Sequence, residues 1–302
     1  MGTIRPIGRL FRSVPTIEGA GVRLKRAFGY REVPVFDPFL LLDDFHAKNP
    51  ADYLPGFPWH PHRGIETITY ILNGKVDHKD SMGNSGRIDE GDVQWMTAGS
   101  GIIHQEMPGG NHYGLLWGFQ LWANLPAENK MMDPRYRGVK GREVPEVRPG
   151  TGVRVKIIAG TVNGVTGPVT GIVTNPEYLD VTLDPGAEFT HPVPGERTAF
   201  AYVISGGGYF DQQRDPFAYP VTGAGYFDMD REPLILPETV VLFGEGDEIR
   251  VAAGDEGTRF LCMSGVPIRE PVAWYGPIVM NTEDELRTAF AELREGIFIR
   301  KR

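Results

Sequence analysis

The chain has 302 residues, 41% of them hydrophobic, and a formal net charge of −8. That length accommodates about two domains with cores of their own. The acidic balance excludes broad nucleic-acid binding, which needs a basic surface.

Gly (39) and Pro (25) are spread along the chain, as expected of many tight turns between short strands. The first residues, Met1-Gly2-Thr3-Ile4-Arg5-Pro6, contain no continuous apolar run, so no signal peptide is expected. No stretch approaches the ~18 apolar residues of a membrane span. His60-Pro61-His62 places two imidazoles at i and i+2. Ile65 to Leu72 then alternates and is rich in β-branched residues, which predicts a strand ending at the turn Asn73-Gly74. After the turn-rich Thr97-Ala98-Gly99-Ser100-Gly101 comes His104-Gln105-Glu106, a second i, i+2 pair. Leu115, Trp117, Phe119, Leu121, Ala123 and Leu125 form a period-2 apolar row, one deeply buried face of a strand. From Asn129 to Pro149 the chain is polar and reads as a domain boundary. Further strands are expected at Val153 to Ile158, Tyr178 to Leu183, Thr198 to Ile204, Thr239 to Phe243 and Phe260 to Met263. Cys262, the single cysteine, lies in the last of these. It reads as a buried small hydrophobe that cannot form an internal disulfide, consistent with a reducing, cytoplasmic compartment. A helix is expected near the end: Thr282-x-x-Glu285 fits a capping box, Leu286, Ala289, Phe290 and Leu293 keep helical spacing, and Gly296 stops it.

An internal repeat supports the boundary. Glu90-Gly91-Asp92, five residues, then Ala98-Gly99 recurs as Glu245-Gly246-Asp247, five residues, then Ala253-Gly254. His60-Pro61-His62 has an echo in His191-Pro192-Val193. The division expected is 1–134, a linker at 135–149, and 150–302.

Alternate residues of a strand point to one face. If both histidine segments are strands facing into one barrel, His60, His62, His104 and Glu106 converge. Three imidazoles and a carboxylate are a first shell for a divalent transition metal. Glu66, four residues after His62, is an alternative carboxylate. Its bland reading is a half-exposed strand carboxylate or a hydrogen-bond partner for an imidazole. His46, His78 and His112 lack ligand spacing and read as loop or turn histidines. Phe57, Trp59 and Met96 flank the ligand segments and are candidates for an apolar pocket wall. Laying the two repeats on each other puts Arg259 in the place of His104, Leu261 in that of Glu106 and Val193 in that of His62. None of these can ligate a metal. The second domain is therefore expected to be metal-free, with His191 a hydrogen-bonding core residue.

The segments His60-Pro61-His62-Arg63-Gly64-Ile65-Glu66-Thr67 and Gly91 to Met107 resemble the two signature stretches of the pirin family. The likeness continues in His78-Lys79-Asp80-Ser81 and in Gly276-Pro277-Ile278-Val279-Met280-Asn281-Thr282, so it covers nearly the whole chain. The resemblance implies an all-β bicupin: two tandem jelly-roll-like β-barrel domains, a short C-terminal helix, and the metal in the N-terminal barrel. It implies His60, His62, His104 and Glu106 as the ligands of one Fe(II) per chain, with Zn, Mn, Ni or Cu able to replace it in recombinant protein. It also implies a quercetin 2,3-dioxygenase type of activity, in which a flavonol and dioxygen react at the metal and carbon monoxide is released. Glu106 is the candidate to take the flavonol proton. The competing expectation is a non-catalytic, metal-dependent regulator that binds a protein partner, as eukaryotic members do in transcriptional co-regulation. Neither reading involves a membrane or direct contact with nucleic acid.

Overall fold

Runs of alternating β-branched and aromatic residues, punctuated by glycine turns, fold as antiparallel strands almost throughout this computed structural model, which describes residues 2–211 and 234–300. Among the described residues the α-helix is Glu283–Arg294, and no helix is long and apolar enough to cross a membrane. The all-β expectation with one late helix holds.

Two compact units form, and they are interleaved in sequence. One comprises Ser13–Val144, Gly171–Asn175 and Pro267–Arg302; the other comprises Met1–Arg12, Pro145–Thr170 and Pro176–Val266. The sequence-based division therefore misses an exchange of terminal segments, because hydrophobic periodicity reports that a segment is a strand and not which sheet it joins.

The first unit has a seven-stranded sheet in the order Arg135–Val139, Val93–Thr97, Ile65–Asn73, Leu116–Asn124, Phe39–Ala47, Val22–Phe28, Val14–Glu18. A four-stranded sheet runs Phe57–His62, Ile102–Gly109, Lys75–Asp80, Ser85–Ile88. The two face each other, since Thr69 and Gln120 of the large sheet reach Glu106 of the small one. Strand register sets two inward rows on the large sheet. One runs Leu41, Trp122, Thr67, Met96; the other runs Arg26, Asp43, Gln120, Thr69, Gln94. Residues 135–149, expected to be a linker, begin with the edge strand Arg135–Val139 paired to Val93–Thr97. The charges of Arg135 and Arg137 suit an edge, while Tyr136 bonds inward to His78. His78 is likewise a buried strand residue rather than a loop one, and His46 is a strand residue stacked 4.0 Å from Trp117.

The C-terminal segment closes this unit. The hairpin Ala273–Tyr275/Ile278–Met280 lies against Arg63, with Val279 N donating to Arg63 O at 3.1 Å. Gly64 makes that approach possible. Its φ is +78°, and a Cβ there would fall 1.9 Å from Val279 O. The helix follows with the expected cap: Thr282 Oγ1 accepts from Glu285 N at 3.2 Å, and Glu285 Oε2 accepts from Thr282 N at 2.9 Å.

Among the described residues the second unit is built on an eight-stranded sheet, with a separate small hairpin Thr161–Val162/Val165–Thr166. The main path of the sheet runs Ile7–Arg12, Thr239–Phe243, Thr198–Tyr209, Glu248–Gly265, Glu177–Leu183, Val153–Ala159, Glu146–Val147, and Glu188–Pro192 also pairs with the long strand Glu248–Gly265. Its core is apolar, built from side chains such as Val155, Val181, Phe189, Val203, Ile249 and Phe260. The repeat register expected from the sequence is corrected here. Glu90-Gly91-Asp92 leads into Val93–Thr97, whereas Glu245-Gly246-Asp247 leads into Glu248–Gly265. The first part of that long strand pairs with Glu188–Pro192, His191 opposite Ile249 and Phe189 opposite Val251. This is the pairing that Ile102–Gly109 makes with Phe57–His62. Ile249 and Val251, not Arg259 and Leu261, therefore stand in the places of His104 and Glu106. The shared tripeptide precedes different strands, and its backbone differs, with φ of +83° at Gly91 and +158° at Gly246. Val193, Ile249 and Val251 all belong to the apolar core, and His191 Nε2 lies 2.9 Å from Glu177 Oε2.

Candidate metal centre

Three imidazoles meet at the junction of two paired strands. His60 is directly opposite His104, and His62 opposite Ile102. The register shifts between His104 and Glu106, so Glu106 faces Phe57. Such a bulge re-aims the side chain that follows it. The ligand-capable nitrogens of His60, His62 and His104 all lie within 4.8 Å of one another.

Hydrogen bonds set the state of these rings. His60 Nδ1 lies 2.8 Å from Pro58 O, and His62 Nδ1 lies 3.1 Å from Pro277 O. A carbonyl only accepts, so both rings carry a proton on Nδ1, and in the neutral form of each ring Nε2 is the lone pair left for a metal. Those two Nε2 atoms are 3.1 Å apart. At that distance the two nitrogens share a cation, either a proton or a metal ion. His104 Nε2 is buried and meets no protein hydrogen-bond partner. Burial, reinforced by the neighbouring His60, holds the His62 and His104 pKa values well below the ordinary range. Neutral, pre-aimed imidazoles are the form that metals bind. The donor set fits a transition metal.

Glu106 is buried beside the cluster, its Oε2 4.0 Å from His104 Nε2. Gln120 Nε2 donates to it at 3.1 Å (Oε2) and 3.3 Å (Oε1), and Thr69 Oγ1 donates at 3.3 Å. Trp122 Nε1 donates in turn to Gln120 Oε1 at 3.0 Å, which fixes the orientation of the amide. Glu66, the alternative carboxylate, points away. It accepts from Thr97 Oγ1 at 2.6 Å and lies 4.0 Å from Arg135 Nη2. The turn at Gly64 ends the histidine strand, so counting four residues past His62 crosses into the other sheet.

Above the cluster is a cavity of about 790 Å³ lined by His60, His62 and Glu106 together with Phe57, Trp59 and Trp122. Trp274, Tyr275 and Pro277 come to it from the C-terminal hairpin. Phe57 and Trp59, named from the sequence as candidate wall residues, line this cavity. Met96 does not. It packs with Leu40, Ile65, Ala98, Ile102 and Val279, two strands across the sheet from Trp122. Sequence reasoning missed Gln120, Asp43, Arg26 and the hairpin. One signal was available: if Phe119 and Leu121 face one way, Gln120 and Trp122 must face the other.

The geometry can be set beside known proteins. The Pirin family model matches residues 21–123, and the model of the Pirin C-terminal cupin domain matches residues 211–299. A pirin-like protein of Caulobacter vibrioides is 42% identical over 98% of this chain and 99% of its own length. The chain belongs to the pirin family. Human pirin is 38% identical over 97% of this chain and 94% of its own. Among solved structures, the quercetin 2,3-dioxygenase of Acinetobacter baumannii superposes with a TM-score of 0.83 at 30% identity, covering 98% of each chain. The fold is accordingly the pirin fold of two cupin domains, and the three-histidine cluster is its metal-capable site.

Proposed function

We propose that this pirin is an Fe(II)-dependent dioxygenase of the quercetin 2,3-dioxygenase type, which opens the central ring of a flavonol with dioxygen. The observation that carries the reading is the pair of Nε2 atoms, 3.1 Å apart, at the floor of an aromatic-walled cavity of about 790 Å³. A cavity of that size suits a three-ring substrate. The likeness to the Acinetobacter baumannii quercetin 2,3-dioxygenase supports the same substrate class.

His60, His62, His104 and Glu106 would hold the metal. Iron supplies a Lewis-acidic centre for an anionic flavonol oxygen and a redox partner for dioxygen. The remaining work belongs to the protein's own groups. Glu106, held by Gln120 and Thr69, accepts the proton of the flavonol 3-hydroxyl at a carboxylate oxygen. Trp122, Trp274 and Phe57 present flat apolar surfaces that exclude water and fix the plane of the ring. Pro277 O holds His62 in the neutral, metal-binding tautomer.

Protein reconstituted with Fe(II) should consume oxygen in the presence of quercetin, read with an oxygen electrode. The zinc form should not, because zinc has no redox chemistry. Iron-loaded protein that is inert with several flavonols would overturn the proposal and leave a metal-dependent regulatory role in its place.

A further inference from the structure

The cavity has a second polar feature, away from the imidazoles. Arg26 donates to both oxygens of Asp43, Nε to Oδ1 and Nη2 to Oδ2, each at 2.8 Å. Its Nη1 lies 2.9 Å from Glu18 Oε1. All three residues line the cavity. Arg26, Asp43 and Gln120 are consecutive members of one inward row, and Gln120 is the residue that holds Glu106. Gln120 and Arg26 are two strand spacings apart, about 10 Å. The neighbouring row supplies Leu41 and Trp122. The sheet thus offers a polar track beside an apolar one. A planar ring system can rest its face on Trp122 and Leu41 while its polar edge follows Gln120, Asp43 and Arg26.

Charge differs between the ends of that track. At the metal end, a divalent ion with three neutral imidazoles and Glu106 leaves one net positive charge, which favours an anionic oxygen. At the far end, two carboxylates against one guanidinium leave one net negative charge. A carboxylate offers about four lone-pair sites. Arg26 uses one on each Asp43 oxygen and one on Glu18, so acceptor capacity remains for a hydrogen-bond donor in the cavity. A second anion there would meet a carboxylate in a partly desolvated wall.

From this we infer that Arg26, Asp43 and Glu18 form a second anchor that selects substrates with a neutral donor, a phenolic hydroxyl, remote from the metal-bound oxygen, and rejects those with an acid group there. The inference rests on the flavonol reading and specifies it further. The cavity is built for polyhydroxylated rings, not for aromatic acids or bare flavones.

Equilibrium binding to zinc-loaded protein tests this without turnover, through quenching of the cavity tryptophans. Three probes suffice: quercetin, 3-hydroxyflavone without outer-ring hydroxyls, and a sulfonated quercetin. The titration is run well above the point where Asp43 protonates, since burial pushes its carboxyl up to about 6. Quercetin should bind about tenfold more tightly than 3-hydroxyflavone, and the sulfonate should bind more weakly than quercetin by a similar factor. Asp43→Asn and Glu18→Gln should each shrink the penalty on the sulfonate. Glu18, with its side chain 40% exposed, gives a variant that folds even where loss of the buried Asp43 charge does not. Affinities for the three probes within about twofold of one another, with iron-dependent oxygen uptake intact, would overturn this inference alone. Failure of any flavonol to bind the zinc or the iron form would overturn the flavonol reading and this anchor with it.

Discussion

His104 Nε2 is buried with no protein partner, and the Nε2 atoms of His60 and His62 meet each other at 3.1 Å. Replacing His104 with alanine removes a donor that nothing nearby can substitute. His104→Ala should therefore lose most of the metal that wild-type protein retains after reconstitution and desalting, measured by elemental analysis. Glu106→Ala should lose it as well. Full retention in that variant would confine Glu106 to proton transfer. Lys130 makes a separate prediction. It is buried, with Nζ 2.8 Å from Gly64 O and a further bond to Asn124 Oδ1, and burial lowers its pKa to about 7. The unfolded chain keeps that proton up to ~10.4. Between these values the unfolded state binds more protons, so stability rises with pH across the window and falls back as pH drops towards 7, by at most ~1.4 kcal/mol per unit. Urea denaturation of wild type and Lys130→Met, at about pH 7 and about pH 9, should show the wild type gaining on the variant at the higher pH. Parallel behaviour would mean the amine is not buried uncharged. The imidazoles were legible because i, i+2 spacing has one meaning on a strand. Gln120, Asp43 and Arg26 were not. A polar residue at every second strand position reads as solvent-facing until a second sheet closes over it.

At the scale of elements, the C-terminal hairpin is the part of the site that local sequence conceals. The strands themselves were legible: Thr239–Phe243 falls where alternation predicted it, and the Thr282 cap starts the helix as its motif required. Partnering was not legible. Arg135–Val139 carries enough charge to resemble a linker, and the Glu-Gly-Asp tripeptide precedes non-equivalent strands in the two units. The contact between Gly64 and Val279 gives the hairpin a single-residue test. An alanine at Gly64 would need positive φ and a Cβ inside the space of Val279 O. Gly64→Ala should cost about 2–4 kcal/mol in unfolding free energy and weaken metal binding as Pro277 withdraws from His62. Denaturation and a metal titration on the same samples would check both. Unchanged affinity despite lost stability would show that the hairpin supports the fold but not the histidine.

For the molecule as a whole, the units are not consecutive stretches of chain. Pro267–Arg302 belongs with Ser13–Val144, and Met1–Arg12 with Pro176–Val266. A fragment ending at Val144 would leave Ile65, Met96 and Ile102 without Val279, and would lack the cluster formed by Ala273, Ile278, Leu286 and Phe298. Residues 13–144 expressed alone should be insoluble or partly unfolded by circular dichroism and should retain little metal; a cooperatively folding, metal-replete fragment would contradict this partition. The separation of His62 from the carbonyl that orients it, 215 residues along the chain, has a consequence for biosynthesis. All three imidazoles leave the ribosome long before Pro277 is translated. A growing or prematurely terminated chain displays the histidines without the group that fixes His62 in its metal-binding tautomer. The orientation of His62 is thereby completed only once the polypeptide has been read past Pro277.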